Sequence, residues 1–246
     1  MPPVGIAAVL ALIVGLASPL HAFRVARNNN VPTLGWADGD IVINIHLGTF
    51  SGGGTTLDGY PSYEAPVEAA LAIWNQVLGR STFKVVRGPS FSPTLGDGKN
   101  SIYFSTTTPN GAFPANTAAM TFVRLNGARI IEADVVLNLA AFWNSYRGAL
   151  QTSSGQPLND MRRVALREFG RALGLDYPDR DTPPQTVTAQ MNSVSTALDT
   201  LAQDDVDGVQ ALYGLPLTNA RFANLSTRGF VGAGDSAMIG GLIVEG

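Results

Sequence analysis

Residues 160–177 constrain this chain more than any other stretch, because they read as a helix with an apolar side that has to be buried. Leu166, Phe169, Gly170 and Leu173 recur at helical spacing. Asn159 or Asp160 can cap the start, and Gly174 stands where a helix end favours a left-handed residue. Arg163, Arg167 and Arg171 follow one another at i, i+4, where like charges cost about 0.2 to 0.5 kcal/mol per pair on an exposed helix. Asp160 and Glu168 lie at i, i+3 from Arg163 and Arg171 and are placed to offset that repulsion. A chain of 246 residues, 45% hydrophobic and 14% charged, is long enough to supply one good-sized core for the apolar face and a small second unit.

The same composition narrows the partners. A net charge of −3, with no basic cluster interleaved with aromatics, argues against nucleic acid or an anionic membrane. With no cysteine there is no disulfide framework, so life outside the cytoplasm would rest on packing alone. Residues 4–17 form an apolar run that is short for a membrane span and right for a signal-peptide core, and Ala22 ends a small-residue site. We therefore expect residues 1–22 to be a signal peptide, cleaved before Phe23, and the chain to be secreted, extracellular or periplasmic.

Along the chain, 40–47, 81–86, 100–105, 119–125 and 129–137 read as strands, with Asn126 and Gly127 as a hairpin signal. Residues 62–78 read as an amphipathic helix with Ala70, Ile73, Trp74 and Val77 on one face, and 51–59 as a loop. His21 falls in the leader, which leaves His46 as the one histidine of the mature chain, read as a strand residue with a local hydrogen bond. Asp176, Asp179 and Asp181 lie in a Pro-rich stretch and read as a solvated loop, since no Asp-rich segment matches a recognised calcium spacing. Residues 204–214 read as a closing helix whose leading aspartates complement its N-terminus. Past 216 the chain turns to short strands and Gly-rich turns, and we expect 216–246 to be a linker and the start of a β module that stops in mid-strand, or else a tail packed on the main domain.

The frame from Arg167 to Tyr177 resembles the active-site helix of the metzincin zinc peptidases, most closely the matrixins, whose pattern is His-Glu-x-x-His-x-x-Gly-x-x-His. Glu168 and Gly174 match it, while Arg167, Arg171 and Tyr177 occupy the three histidine positions. Trp74 and Asn75 resemble part of the first matrixin helix, 131–138 resembles the cleft-edge strand, 190–193 with Met191 resembles the Met-turn, and 204–214 resembles the closing helix. The resemblance covers roughly 36–214. It implies an α+β matrixin-like domain over 23–215: a twisted mixed sheet, a central active-site-type helix and a closing C-terminal helix.

By resemblance, Glu168 is the general base, idle here, with Gly174 and Met191 in support. The family cofactor is zinc, with calcium in some members. Arginine is a donor without a free lone pair, and tyrosine ligates only as phenolate, so we expect no bound metal in this sequence. The expected function is a catalytically silent relative of the secreted peptidases, with a protein or peptide in the cleft, no nucleic acid, no stable membrane association and a monomeric state. Two alternatives stay open: an active zinc endopeptidase, and a passive domain whose adhesive or anchoring work belongs to the C-terminal module.

Overall fold

The computed structural model describes residues 22–48, 54–216, 220–223 and 242–245. The expected leader and its cleavage site at residues 1–22 fall almost wholly outside the described residues, as does most of the tail. Ala220–Ala223 and Leu242–Glu245 pair antiparallel. Among the described residues no helix is long and apolar enough to cross a membrane.

Five strands form one mixed sheet: β1 (Gly39–His46), β2 (Ser81–Arg87), β3 (Asn100–Ser105), β4 (Ala119–Asn126) and β5 (Arg129–Asn138). Their order is β2-β1-β3-β5-β4. The first four in that order run parallel, and β4 is antiparallel to β5. The hairpin between β4 and β5 turns at Gly127, whose φ of 61° is one that glycine adopts without strain. Alternation along the strands sends Ile41, Ile43 and Ile45 of β1 and Ala133, Val135 and Leu137 of β5 to one face. Two helices cover that face: α1 (Glu64–Asn75) and α2 (Met161–Ala172).

The sheet order corrects one expectation. The strand at 131–138 does not border an open cleft, because β5 is paired on both sides, with β3 and with β4. The edge on that side of the sheet is β4.

Asp160 caps α2 by accepting from the Arg162 amide at 3.1 Å, and Gly174 follows the helix with φ 97°. Arg163, Arg167 and Arg171 do not form the exposed repulsive row expected of them. Arg163 is 4% exposed and paired with Asp160 at 3.3 Å, and Arg171 pairs with Asp176 rather than with Glu168. α1 stops at Asn75, short of the expected 78, because the Asn75 side chain leaves the helix register to exchange two hydrogen bonds with the backbone of Phe83.

α1 and α2 meet at a position with no side chain. The Trp74 indole N–H donates to the Leu166 carbonyl at 2.9 Å, and Met191 lies against Gly170 from the other direction. A Cβ on Gly170 would come within 2.2 Å of the Met191 sulfur and 3.0 Å of Trp74 Cζ2. Gly170→Ala should therefore lower stability by about 1 to 3 kcal/mol, as overpacking a closed core does. A urea midpoint that stays put or rises in this variant would contradict that packing.

Candidate functional site

The C-terminal half of α2 collects the residues singled out in the sequence. Glu168 is 2% exposed and accepts from the Thr121 hydroxyl at 2.7 Å, with the Arg167 guanidinium 3.5 Å away. The Thr121 hydroxyl also lies 3.1 Å from the Glu168 carbonyl, so its single proton serves one of two acceptors on α2 and ties β4 to the helix. Arg167 donates to Ser195 Oγ at 2.8 Å. Arg171 pairs with Asp176, which also receives Arg24 at 3.4 Å. Tyr177 lies between two guanidiniums, Arg171 at 4.6 Å and Arg180 at 5.1 Å from the ring centroid, both within cation–π range.

This donor set does not fit zinc. Two of the three family positions present guanidiniums, which carry charge and no lone pair. The third is a phenol that burial and the nearby Glu168 push above its ordinary pKa, against the pull of Arg171, Arg167 and Arg180, so at neutral pH it is the neutral hydroxyl and not a phenolate. Among the described residues no group of three His, Cys, Asp or Glu side chains could hold a metal ion.

The other singled-out residues have structural partners. Asp176 is shared by two arginines, and Asp179 accepts from the Ser193 amide at 2.9 Å and from its hydroxyl at 2.6 Å, so this stretch is not a freely solvated loop. Gly174 approaches Thr33, where a Cβ would stand 2.9 Å from the hydroxyl. His46 packs edge-on against Phe91 and its Nε2 is buried without a hydrogen-bond partner, so the local bond expected there is not made by that nitrogen.

Sequence reasoning missed Asp205. It lies in the first turn of α3 (Gln203–Tyr213), is 1% exposed, and accepts from the amides of Ala202, Gln190 and Met191 at 2.7, 2.8 and 3.0 Å. It therefore fixes the turn carrying Met191 to α3, which is more than complementing a helix end. Its burial was the missing signal, since the leading aspartates look alike in sequence.

A cleft of about 450 Å³ opens next to this cluster. Its lining includes Arg27, Thr33, Thr121, Val123, Leu125 and Arg171. One wall comes from the hairpin of Arg27–Asn28 and Val31–Pro32, another from the end of α2, and a third from β4. The Asn138 amide donates to the Ala118 carbonyl at 2.8 Å, so by antiparallel alternation Met120 and Phe122 bond to β5. The backbone groups of Thr121 and Val123 then point to the unpaired edge. Two guanidiniums, Arg27 and Arg171, line the cleft, and Arg171 is paired with Asp176, which Arg24 shares.

No family model matches the sequence, and no curated protein does. Among solved structures, the chain is similar to one described as the GM1 bound form of the ECX AB5 holotoxin, at TM-score 0.43 and 13% identity, over 78% of this chain and 89% of that one. Similarity at that level carries no argument. The absence of any matching family model or curated relative overturns the metzincin resemblance: the short matches at 167–177, 190–193 and 204–214 extend to no family-level similarity. The readings that depended on it, a silent relative of the zinc peptidases and an active zinc endopeptidase, are withdrawn. Physically, Glu168 spends its carboxylate on Thr121 and Arg167, and Arg171 and Tyr177 are engaged with each other and with Asp176 and Arg180.

Glu168→Gln should lower stability by about 1 to 3 kcal/mol, because it leaves the nearly buried Arg167 guanidinium without its counter-charge. Equal denaturant midpoints for parent and variant would show that the pair contributes nothing.

Proposed function

We propose that this chain is an exported binding domain that takes an extended, acidic segment of a protein partner into the cleft beside β4. The observation that carries the reading is an unpaired strand edge flanked by a surplus of guanidinium charge. Edge addition supplies affinity through main-chain hydrogen bonds, while the neighbouring side chains select the sequence. Thr121 and Val123 offer one N–H and one C=O each along the edge, by the alternation described above.

Charge selects the ligand. The chain as a whole carries −3 and would repel acidic partners, yet the residues lining this cleft include two arginines and no carboxylate. Carboxylates from the ligand meet Arg27, which is exposed, and Arg171, whose counter-ion Asp176 is already shared with Arg24. Arginine matches carboxylate geometry with paired donors. A cleft of this volume lies within the roughly 300 to 1,000 Å³ range of ligand pockets and has room for two or three side chains of a passing strand. The export in this reading rests on the apolar run at 4–17 and the small-residue site ending at Ala22.

Fluorescence anisotropy with labelled peptides of about eight residues, alternating Val or Thr with Glu or with Lys, tests the reading on the full chain. The acidic peptide should bind at least about tenfold more tightly than its basic counterpart, a difference of about 1.4 kcal/mol. Arg27→Gln with Arg171→Gln should erase most of that preference. Val123→Pro, which removes an outward N–H without touching the ladder to β5, should weaken binding of the acidic peptide. Equal affinity for both peptides, or full binding by the Val123→Pro variant, would overturn it.

A further inference from the structure

The face of the sheet away from the helices holds a second group of buried ionisable side chains that the binding reading does not use. Along β5, Ala133 and Val135 face the core, so Glu132 and Asp134 project together from the opposite face, two residues apart. Both are covered, at 1% and 0% exposure. Their cover is the 88–99 loop, which crosses this face and is held there by Glu132, whose carboxylate accepts the amides of Gly96 and, at 3.0 Å, Gly98. Arg124, from β4, donates to the same carboxylate at 2.9 Å. One residue thus fastens the loop and the edge strand at once.

Asp134 is differently placed. Its Oδ1 accepts from the Ser101 amide at 3.0 Å, and its Oδ2 is buried with no protein donor. The neighbouring carboxyl of Glu132 can hydrogen-bond to it only if one of the two carries a proton. Burial would raise Glu132, but the Gly96 amide, Arg124 and the Gly98 amide outweigh that and hold it below its ordinary value, so it keeps its charge. Burial, followed by the charge of Glu132, pushes Asp134 up to about 7. The proton therefore resides on Asp134.

We propose that Glu132 and Asp134 form a proton-gated clamp, which holds the 88–99 loop against the sheet while Asp134 carries a proton beside charged Glu132 and releases it when that proton leaves. The sign follows from the raised acid. An aspartate bound more tightly to its proton in the closed form stabilises that form fully at acid pH, and the contribution falls away as pH climbs to about 7. Above that point two buried carboxylates stand side by side with one guanidinium, Arg124, bonded to Glu132 alone, and lifting the loop to admit water relieves the repulsion.

The other charged groups facing the pair leave this balance in place. Asp97 of the loop adds to the negative field and raises Asp134 further. Tyr103 of β3 is held above its ordinary pKa by burial, then by Asp134 and Asp97, and stays neutral. His46 of β1 is held below its ordinary value by burial and by Lys99, against Asp97, so it too is neutral near pH 7. Lys99 lies over the Phe91 ring at 3.7 Å.

Carbon-13 NMR of the aspartate carboxyls, with amide-exchange protection at Gly96 and Gly98 across roughly pH 5 to 9, tests the clamp on the full chain. Asp134 should titrate near 7 in the closed form, and protection at both glycines should fall at least about tenfold as pH rises toward that value and level off above it. Asp134→Asn, which keeps a neutral group beside Glu132, should hold protection flat, and His46→Gln should leave the fall intact. If the Asn variant does not fold, levelling of protection at the pH where Asp134 titrates in the parent decides the matter. Titration of Asp134 below about pH 5, a fall in protection that begins only above the Asp134 titration, a fall that persists in Asp134→Asn, or one that vanishes in His46→Gln would each overturn the clamp.

Discussion

Gly170 has no side chain, and the space it leaves is where α1, α2 and the turn carrying Met191 meet. Trp74 fills one side of it and donates to the Leu166 carbonyl, while Met191 fills the other. The Met191 amide is in turn held by Asp205, which also closes the first turn of α3. α3 returns the connection through Tyr213, whose hydroxyl donates to the Leu173 carbonyl at 2.7 Å and accepts the Trp36 amide at 3.1 Å. Each link is a buried polar group with its partner supplied, and losing a partner costs about 1 to 3 kcal/mol. The end of α2, and with it one wall of the cleft, is held in place by this circuit.

The charges of α2 divide by depth. Arg162 and Arg163 at its start are buried and meet Asp199 and Asp160 at 3.1 and 3.3 Å. Such pairs say little about net stability, yet removing one member strands the other at a cost of about 3 to 5 kcal/mol. Further along, Arg167 and Arg171 are partly open and reach across to Ser195, Glu168 and Asp176. The helix thus changes from a buried ionic anchor to a cationic surface over about two turns, and the cleft begins at the cationic end.

The elements that were legible in the sequence are those with a period. Ile41, Ile43 and Ile45 alternate, Leu166, Phe169 and Leu173 repeat at helical spacing, and Asn126-Gly127 marks its hairpin. Sheet order was not legible, because alternation tells which side of a strand is buried and not which strand lies beside it. That is how β5 came to be read as an edge when it is interior. The site was legible only in its residue types. Glu168, Arg171 and Tyr177 do lie near one another, but partners that decide their chemistry come from distant chain, Thr121 on Glu168 and Arg24 on the Asp176 that Arg171 shares. Several short motifs read together suggested a family, and the absent family match removed it.

What remains central is the proposal that a ligand strand adds at the free edge of β4. Backbone amide exchange, read residue by residue before and after adding a saturating acidic peptide, tests this most directly, because β4 carries its own control. Thr121 and Val123, whose amides face the edge, should gain protection on binding, while Met120 and Phe122, already bonded to β5, should change little. Protection gained equally by all four residues, or by none while the peptide is bound, would place the ligand elsewhere and contradict the account.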